Sequence, residues 1–260
     1  THTAFKSLDI EYPDLKTQAQ IADVLSAYDD LIENNNRRIK ILEEMAQKIY
    51  TEWFVNFRFP GHEKMKFGKD GLPMGWKITI LDVLVDNLRI PTKSGVHLIN
   101  KKYVPINSID SKTLSLKNYR SPQEAVSSLI LFEKGDILFG AMRPYFHKVA
   151  VAPFSGVTRT TCFVLRSKFE TAFVAMAFFQ KETIEFATKN SQGATIPYIN
   201  WTVLANKPFV LPSEDLIHKY SDTVSVMLEQ AQCLSFQNDI LEKSRDMLIP
   251  QLITGKRELK

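Results

Sequence analysis

A chain of 260 residues with 44% hydrophobic and 24% charged residues can bury a substantial core, which excludes an intrinsically disordered protein. No apolar run approaches the roughly 18–20 residues of a membrane span, and Thr1-His2-Thr3-Ala4-Phe5-Lys6 lacks the layout of a signal peptide, so a cytoplasmic protein with no membrane association is expected. The net charge of +4 hides a split: residues 1–57 carry 6 Lys/Arg against 10 Asp/Glu, residues 75–210 carry 17 against 9, and residues 211–260 carry 6 against 8. A basic middle therefore sits between two acidic flanks, which suits a middle segment facing an anion.

After a short leading segment, 1–13, the spacing predicts a long helix over 14–59. Ile21, Leu25, Tyr28, Ile32, Asn35, Ile39, Leu42, Ala46, Ile49 and Trp53 follow one another at alternating steps of four and three, a heptad seam with neither Gly nor Pro between Asp14 and Phe59. Pro13-Asp14 marks its start and Pro60-Gly61 its stop. If continuous, the helix is a rod of about 65 Å. Residues 60–74, with little periodicity, read as a linker.

Residues 75–210 change texture. Short apolar runs bounded by Gly, Pro, Ser or Asn read as strands: Val104-Pro105-Ile106, Ile130-Leu131-Phe132, Asp136 to Phe139, Val149 to Ala152 and Cys162 to Leu165. Phe169 to Thr188 reads as one or two helices. Residues 211–260 return to the heptad pattern, with Ile217, Tyr220, Val224, Met227, Ala231, Leu234, Asn238 and Leu241 on one seam, Pro212-Ser213-Glu214 at the entry, and Pro250 and Gly255 at the close. At an offset of 199 this flank aligns with the first without gaps: Pro13 falls on Pro212, and Ile41-Leu42-Glu43 on Ile240-Leu241-Glu242. One long helix cannot bury its seam alone, so each needs the other, in this chain or in a second copy. Leu25, Tyr28, Ile32, Asn35, Ile39 and Leu42 of the first, with Met227, Leu234, Asn238 and Leu241 of the second, are the candidates for helix pairing or partner docking.

No catalytic chemistry stands out. The five histidines (2, 62, 97, 147 and 218) show no metal-ligand spacing with one another or with Cys162 and Cys233, which read as reduced thiols. There is no Gly-rich phosphate loop and no Gly-x-Ser-x-Gly elbow. Glu133-Lys134-Gly135-Asp136 reads as a turn entering a strand rather than a metal site. Neither metal nor cofactor is expected. What remains is a set of basic, polar and aromatic loops, suited to neutralising phosphates and bonding base edges. Lys101, Lys102, Arg143, Tyr145, Lys148, Arg159, Thr160, Gln192, Thr195 and Tyr198 are the candidate DNA-binding residues.

The order of several motifs resembles a known family. Leu72-Pro73-Met74-Gly75-Trp76 resembles the entry of target-recognition domains in type I restriction-modification specificity subunits. Gly135 to Gly140 followed by Met142-Arg143-Pro144-Tyr145 resembles their middle motif, and Gln192-Gly193-Ala194-Thr195 on to Pro212 their closing one. Gln18-x-x-Ile21-Ala22-x-x-Leu25 and Leu248 to Gly255 resemble the two conserved helical regions. The resemblance implies an α+β fold, with one globular mixed α/β recognition domain flanked by two long helices forming an antiparallel coiled coil. It implies a non-catalytic subunit that binds half of a bipartite double-stranded DNA site and docks methyltransferase subunits, and through them restriction subunits. The chain departs from the family's plan in holding one recognition domain instead of two. It is thus either the C-terminal half of a longer subunit or a single-domain form that pairs as a homodimer through its helices, and residues 1–13 match the tail of a preceding recognition domain. The alternative is a coiled-coil scaffold whose basic central domain binds an acidic protein.

Overall fold

The computed structural model describes residues 12–125 and 128–257, so most of the leading segment expected at 1–13 lies outside the described residues. Helix α1 spans Leu15–Tyr50 and helix α5 spans Glu214–Ile253. Asp14 caps the first by accepting the Thr17 N–H at 2.8 Å, a bond that holds its carboxyl below the usual range. Glu214 and Asp215 place negative charge in the first turn of the second. That helix runs on through Pro250, whose carbonyl accepts both the N–H and the hydroxyl of Thr254. Only one turn lies beyond the proline, so one missing backbone donor is tolerated there.

The chain forms two compact units, Thr1–Arg38 with Cys233–Lys260, and Ile39–Gln232. In the first, Ile21, Ile32 and Asn35 are buried and Leu25 and Tyr28 half-buried; on the other helix Leu234 and Asn238 are buried and Leu241 half-buried. Asp29 bonds Arg245 at 2.5 Å and Asn35 bonds Asn238 at 3.0 Å, so the two helices run antiparallel. Asn238 donates in turn to Asn36 at 2.8 Å and to the Ile32 carbonyl. A buried amide pair in an apolar seam is costly to split. Asn238→Leu strands the Asn35 amide, and the expected loss is about 1–3 kcal/mol. Asn35→Leu combined with Asn238→Leu should recover most of it, because apolar replacement of both partners removes the orphan. Urea denaturation of the two variants checks both statements.

In the second unit α1 ends in a π-helical turn, Thr51–Val55. The wider turn shifts the buried face by about one residue, so Phe54 is buried while Trp53, the seam position, is only half-buried. Ile39, Leu42 and Met227 are half-buried here. Residues 60–75 hold a small hairpin, with a Phe67–Pro73 bridge and left-handed Gly71.

Strand β1 (Lys77–Ile80) pairs antiparallel with β10 (Pro208–Leu211), so the globular segment begins and ends on one two-stranded clasp. A first four-stranded sheet has the order β2 (Val85–Leu88), β9 (Cys162–Ser167), β6 (Ile137–Gly140) and β7 (Val149–Val151), antiparallel throughout. A second has the order β3 (Pro91–Thr92), β5 (Leu129–Phe132), β8 (Gly156–Arg159) and β4 (Lys102–Tyr103), with the last pair parallel. Gly156 is required at that junction, since a Cβ there would lie 2.3 Å from the Lys102 carbonyl. The run Val104-Pro105-Ile106 is not a strand: Pro105 has no N–H for a ladder, and the chain turns into a 3-10 helix over Ile106–Ser108.

Period-two alternation divides the core. Ile137 and Phe139 face α2 (Thr171–Phe179) and α3 (Lys181–Lys189), while Leu138 faces Ile130 and Phe132 of the second sheet. Asp136, 2% exposed, holds Arg166 through two bonds of 2.8 and 2.9 Å and receives the Glu133 N–H. The expected turn at Glu133-Lys134-Gly135-Asp136 is therefore present, with Gly135 left-handed.

The ends of both long helices meet the domain on an aromatic cluster. Phe173 of α2 lies 5.0 Å from Phe54, 5.7 Å from Tyr50 and 6.2 Å from Phe209 between ring centroids. Tyr220 of α5 packs against Phe54 at 5.1 Å and donates its hydroxyl to the Ala46 carbonyl. Higher along α1, Glu43 is buried against residues 113–115. Burial raises its carboxyl pKa above the usual range, against four hydrogen bonds that pull it down.

Candidate nucleic-acid interface

Three loops converge beyond the ends of β6 and β9. Ala141 donates its N–H to Thr161 and accepts from Ile199; the Arg143 N–H reaches the Pro197 carbonyl at 2.7 Å; Gln192 and Tyr198 exchange both backbone bonds at 2.8 Å. The segments 141–148, 159–162 and 190–200 thus form one surface. Gly193 is fixed by this arrangement: its φ is +94°, and a Cβ would stand 2.9 Å from the Ile196 carbonyl.

The turn from Arg143 to His147 is held from beneath. Both end residues are left-handed, at φ 49° and 52°, a conformation few non-glycine residues adopt. Buried Pro144 opens the 3-10 turn between them. The His147 ring packs on Phe179 and bonds its carbonyl at 2.9 Å, and burial pushes the imidazole pKa down, favouring the neutral ring. Arg143, Tyr145 and Phe146 are exposed as a result.

A cleft of about 480 Å³ opens beside the loops, lined among others by Asn87, Arg89, Thr160, Tyr198, Asn200 and Trp201. The Asn87 Oδ1 is buried and without a hydrogen-bond partner among the described residues. On the other side of the Arg143 turn a shallower hollow of about 380 Å³ is lined among others by Lys112, Tyr145, His147, Lys189 and the Lys181–Glu185 ion pair, 3.4 Å apart. Of the arginines in 75–210, Arg89, Arg143 and Arg159 are in no ion pair among the described residues, whereas Arg120 and Arg166 are. Within 75–210 the three arginines in no ion pair thus lie on or beside these loops.

Of the candidate contacts, Arg143, Tyr145, Arg159, Thr160, Gln192, Thr195 and Tyr198 lie on these loops, all exposed. Three lysines do not join them. Lys148 is half-buried, with its ammonium on the Ile106 and Ile109 carbonyls. Lys101 pairs with Glu133 at 3.3 Å, and Lys102 lies over the Tyr119 ring at 3.7 Å. Lys102 pairs with Gly156 at the start of β8, and Arg159 ends that strand, about 10 Å away. Asn87 and Arg89 are additions that no local motif marks, brought to the cleft only by the placement of β2 beside β9; Asn200 reaches it from the end of the 190–200 loop. Among the described residues, no group of three His, Cys, Asp or Glu could hold a metal ion, and no helix is long and apolar enough to cross a membrane.

The family described as "Type I restriction modification DNA specificity domain" matches residues 1–44 and 73–229. The chain belongs to that family. Type I specificity proteins similar to it include the MjaIX specificity subunit of Methanocaldococcus jannaschii, 27% identical over 278 residues, covering 98% of this chain and 62% of the relative. The EcoDI specificity subunit of Escherichia coli is 23% identical over 172 residues, covering 62% of this chain and 38% of that one. Among solved structures, the type I S subunit from M. genitalium matches with a TM-score of 0.59 at 15% identity, over 95% of this chain and 62% of that one. That likeness establishes the specificity-subunit fold, mixed helix and sheet with two long helices, as expected from the motif order. The chain spans about 62% of the length of the MjaIX relative.

Proposed function

We propose that this chain is a non-catalytic DNA-binding specificity component of a type I restriction-modification complex, whose segment 75–210 reads one half of a bipartite site in double-stranded DNA. The observation that carries this reading is the gathering of Arg89, Arg143 and Arg159, none in an ion pair among the described residues, on loops that also expose Gln192, Thr195 and Tyr198. Unpaired arginines reach phosphates and guanine edges, while glutamine and threonine bond base edges in the major groove. Lys112 and Lys189, in the hollow beside Tyr145, add a phosphate-facing margin. Asp136 holds Arg166 and the Ile106 and Ile109 carbonyls hold Lys148, so those two cations serve the fold. Helices α1 and α5 dock methyltransferase subunits, which recruit restriction subunits, and the chain joins a second recognition domain to specify a full site.

The test is selection from a randomised duplex pool by the full chain, alone and with the methyltransferase subunit of its system. We expect one enriched half-site, bound with an affinity that falls on the order of 1,000-fold between about 50 and 200 mM salt. Failure to enrich any sequence, or salt-insensitive binding, sinks the reading; retention of an acidic protein in place of DNA favours a scaffold.

A further inference from the structure

The segment 112–116 contributes little to the loop surface, yet it is bonded on both sides. On one side stand the long helices. Glu43 of α1 is 6% exposed, and its Oε1 accepts from the Thr113 hydroxyl at 2.8 Å, the Leu114 N–H at 2.9 Å, the Ser115 N–H at 3.2 Å and the Ser115 hydroxyl at 3.1 Å. One residue on, the Gln232 side chain of α5 takes both backbone groups of Leu116, accepting its N–H at 2.9 Å and donating to its carbonyl at 3.0 Å. An amide side chain here does the work of a neighbouring strand. On the other side stands the candidate interface. Lys112, left-handed at φ 60°, donates its N–H to the His147 carbonyl at 2.9 Å, and Leu114 accepts the Val151 N–H at 3.0 Å. His147 closes the turn that Arg143 opens.

Four donors aimed at one carboxylate oxygen fix its position more tightly than a single bond, because each restricts the geometry of the rest. The bonds run without a gap from α1 and α5 through 112–116 to the backbone of the Arg143–His147 turn. We propose that Glu43 and Gln232 are positioning residues for DNA recognition: through residues 112–116 they set where the Arg143 turn is presented. This rests on the DNA-binding reading above. The bond path alone does not establish energetic coupling, which a double-mutant cycle measures directly.

The cycle pairs Glu43→Ala with Arg143→Ala in the full chain, using the duplex enriched from the randomised pool and a duplex with the half-site scrambled. Glu43→Ala is expected to weaken binding to the enriched duplex by about tenfold and to narrow the gap between the two duplexes, but to cost under about threefold once Arg143 is already alanine. Glu43→Gln keeps an oxygen for the same four donors and should bind within about twofold of the parent. Gln232→Ala, at a half-buried position, supplies a second cycle if Glu43→Ala does not fold, with the same non-additivity expected. Equal fold-losses in both Arg143 backgrounds, wild-type binding by both Glu43→Ala and Gln232→Ala, or a Glu43→Gln variant as weak as Glu43→Ala overturns the positioning role. Absence of sequence-selective binding by the parent overturns the DNA-binding reading and this inference together; parent binding with an additive cycle overturns the inference alone.

Discussion

Replacing Arg143 with glutamate should lower affinity for the enriched duplex by roughly two orders of magnitude, the largest loss expected of any single surface change in this protein. The arginine is exposed, in no ion pair among the described residues, and at a left-handed backbone position that the Pro197 carbonyl and the His147–Phe179 contact hold in place. Its guanidinium is therefore presented by a rigid turn, so little ordering is needed on binding. Arg143→Ala removes the contact, for an expected loss of about tenfold, and the charge reversal adds repulsion from phosphate. The salt slope should flatten by about one if the contact is to phosphate. Lys40→Glu is the matched control: Lys40 is an exposed residue of α1, on none of these loops, facing Glu44 at 3.8 Å, and its reversal should cost no more than about threefold. Fluorescence anisotropy titrations at two salt concentrations decide the matter. Equal losses for the two reversals would count against the loop surface as the place where DNA is read.

Phe173→Ala should cost about 3–5 kcal/mol of stability. Phe173 is fully buried, and its ring neighbours come from four places in the sequence: Tyr50 at the end of α1, Phe54 in the π turn, Phe209 in β10 and Tyr220 in α5. The cavity thus opens where the domain meets both helix ends and where its closing strand returns. Phe173→Leu, which keeps most of the volume, should cost much less. Denaturant midpoints for the pair test this, and a loss below about 1 kcal/mol for the alanine variant would show that the cluster collapses around the gap.

How much of this was legible depends on the range of the interactions. The two seams are visible because a heptad is local, and the buried Asn35 and Asn238 stand on them as polar exceptions. Strands β5, β6, β7 and β9 announce themselves by short apolar runs between turn residues. The loops around Arg143, Arg159 and Gln192 stand out by composition. What does not show is which cations are already satisfied. Lys148 and Arg143 sit five residues apart in one loop and look alike in sequence; only the 3-10 turn at Ile106–Ser108, folded back from forty residues earlier, separates a structural lysine from a free arginine. Arg89 carries no local signal for the converse reason, since it follows a strand whose neighbour, β9, is far away in the chain. The seam residue Trp53 gives way to Phe54 because a π turn changes the pitch, and a repeat counted at 3.5 residues cannot foresee that.

The β1–β10 clasp has a consequence for how the protein is made. Strand β1 is synthesised early, carrying Ile78 and Ile80, which are 68% and 38% exposed even after folding. Its partner, from Pro208 to Leu211, emerges only after the rest of the domain has been translated. At about 5–20 residues per second, that leaves an apolar strand edge unpaired for on the order of ten seconds on the ribosome. The hairpin β6–β7 closes over a short connection and needs no such wait. The nascent chain is thus most exposed to edge-to-edge association just before Leu211 appears, and a ribosome stalled in α4 (Trp201–Ala205) would hold it in that state.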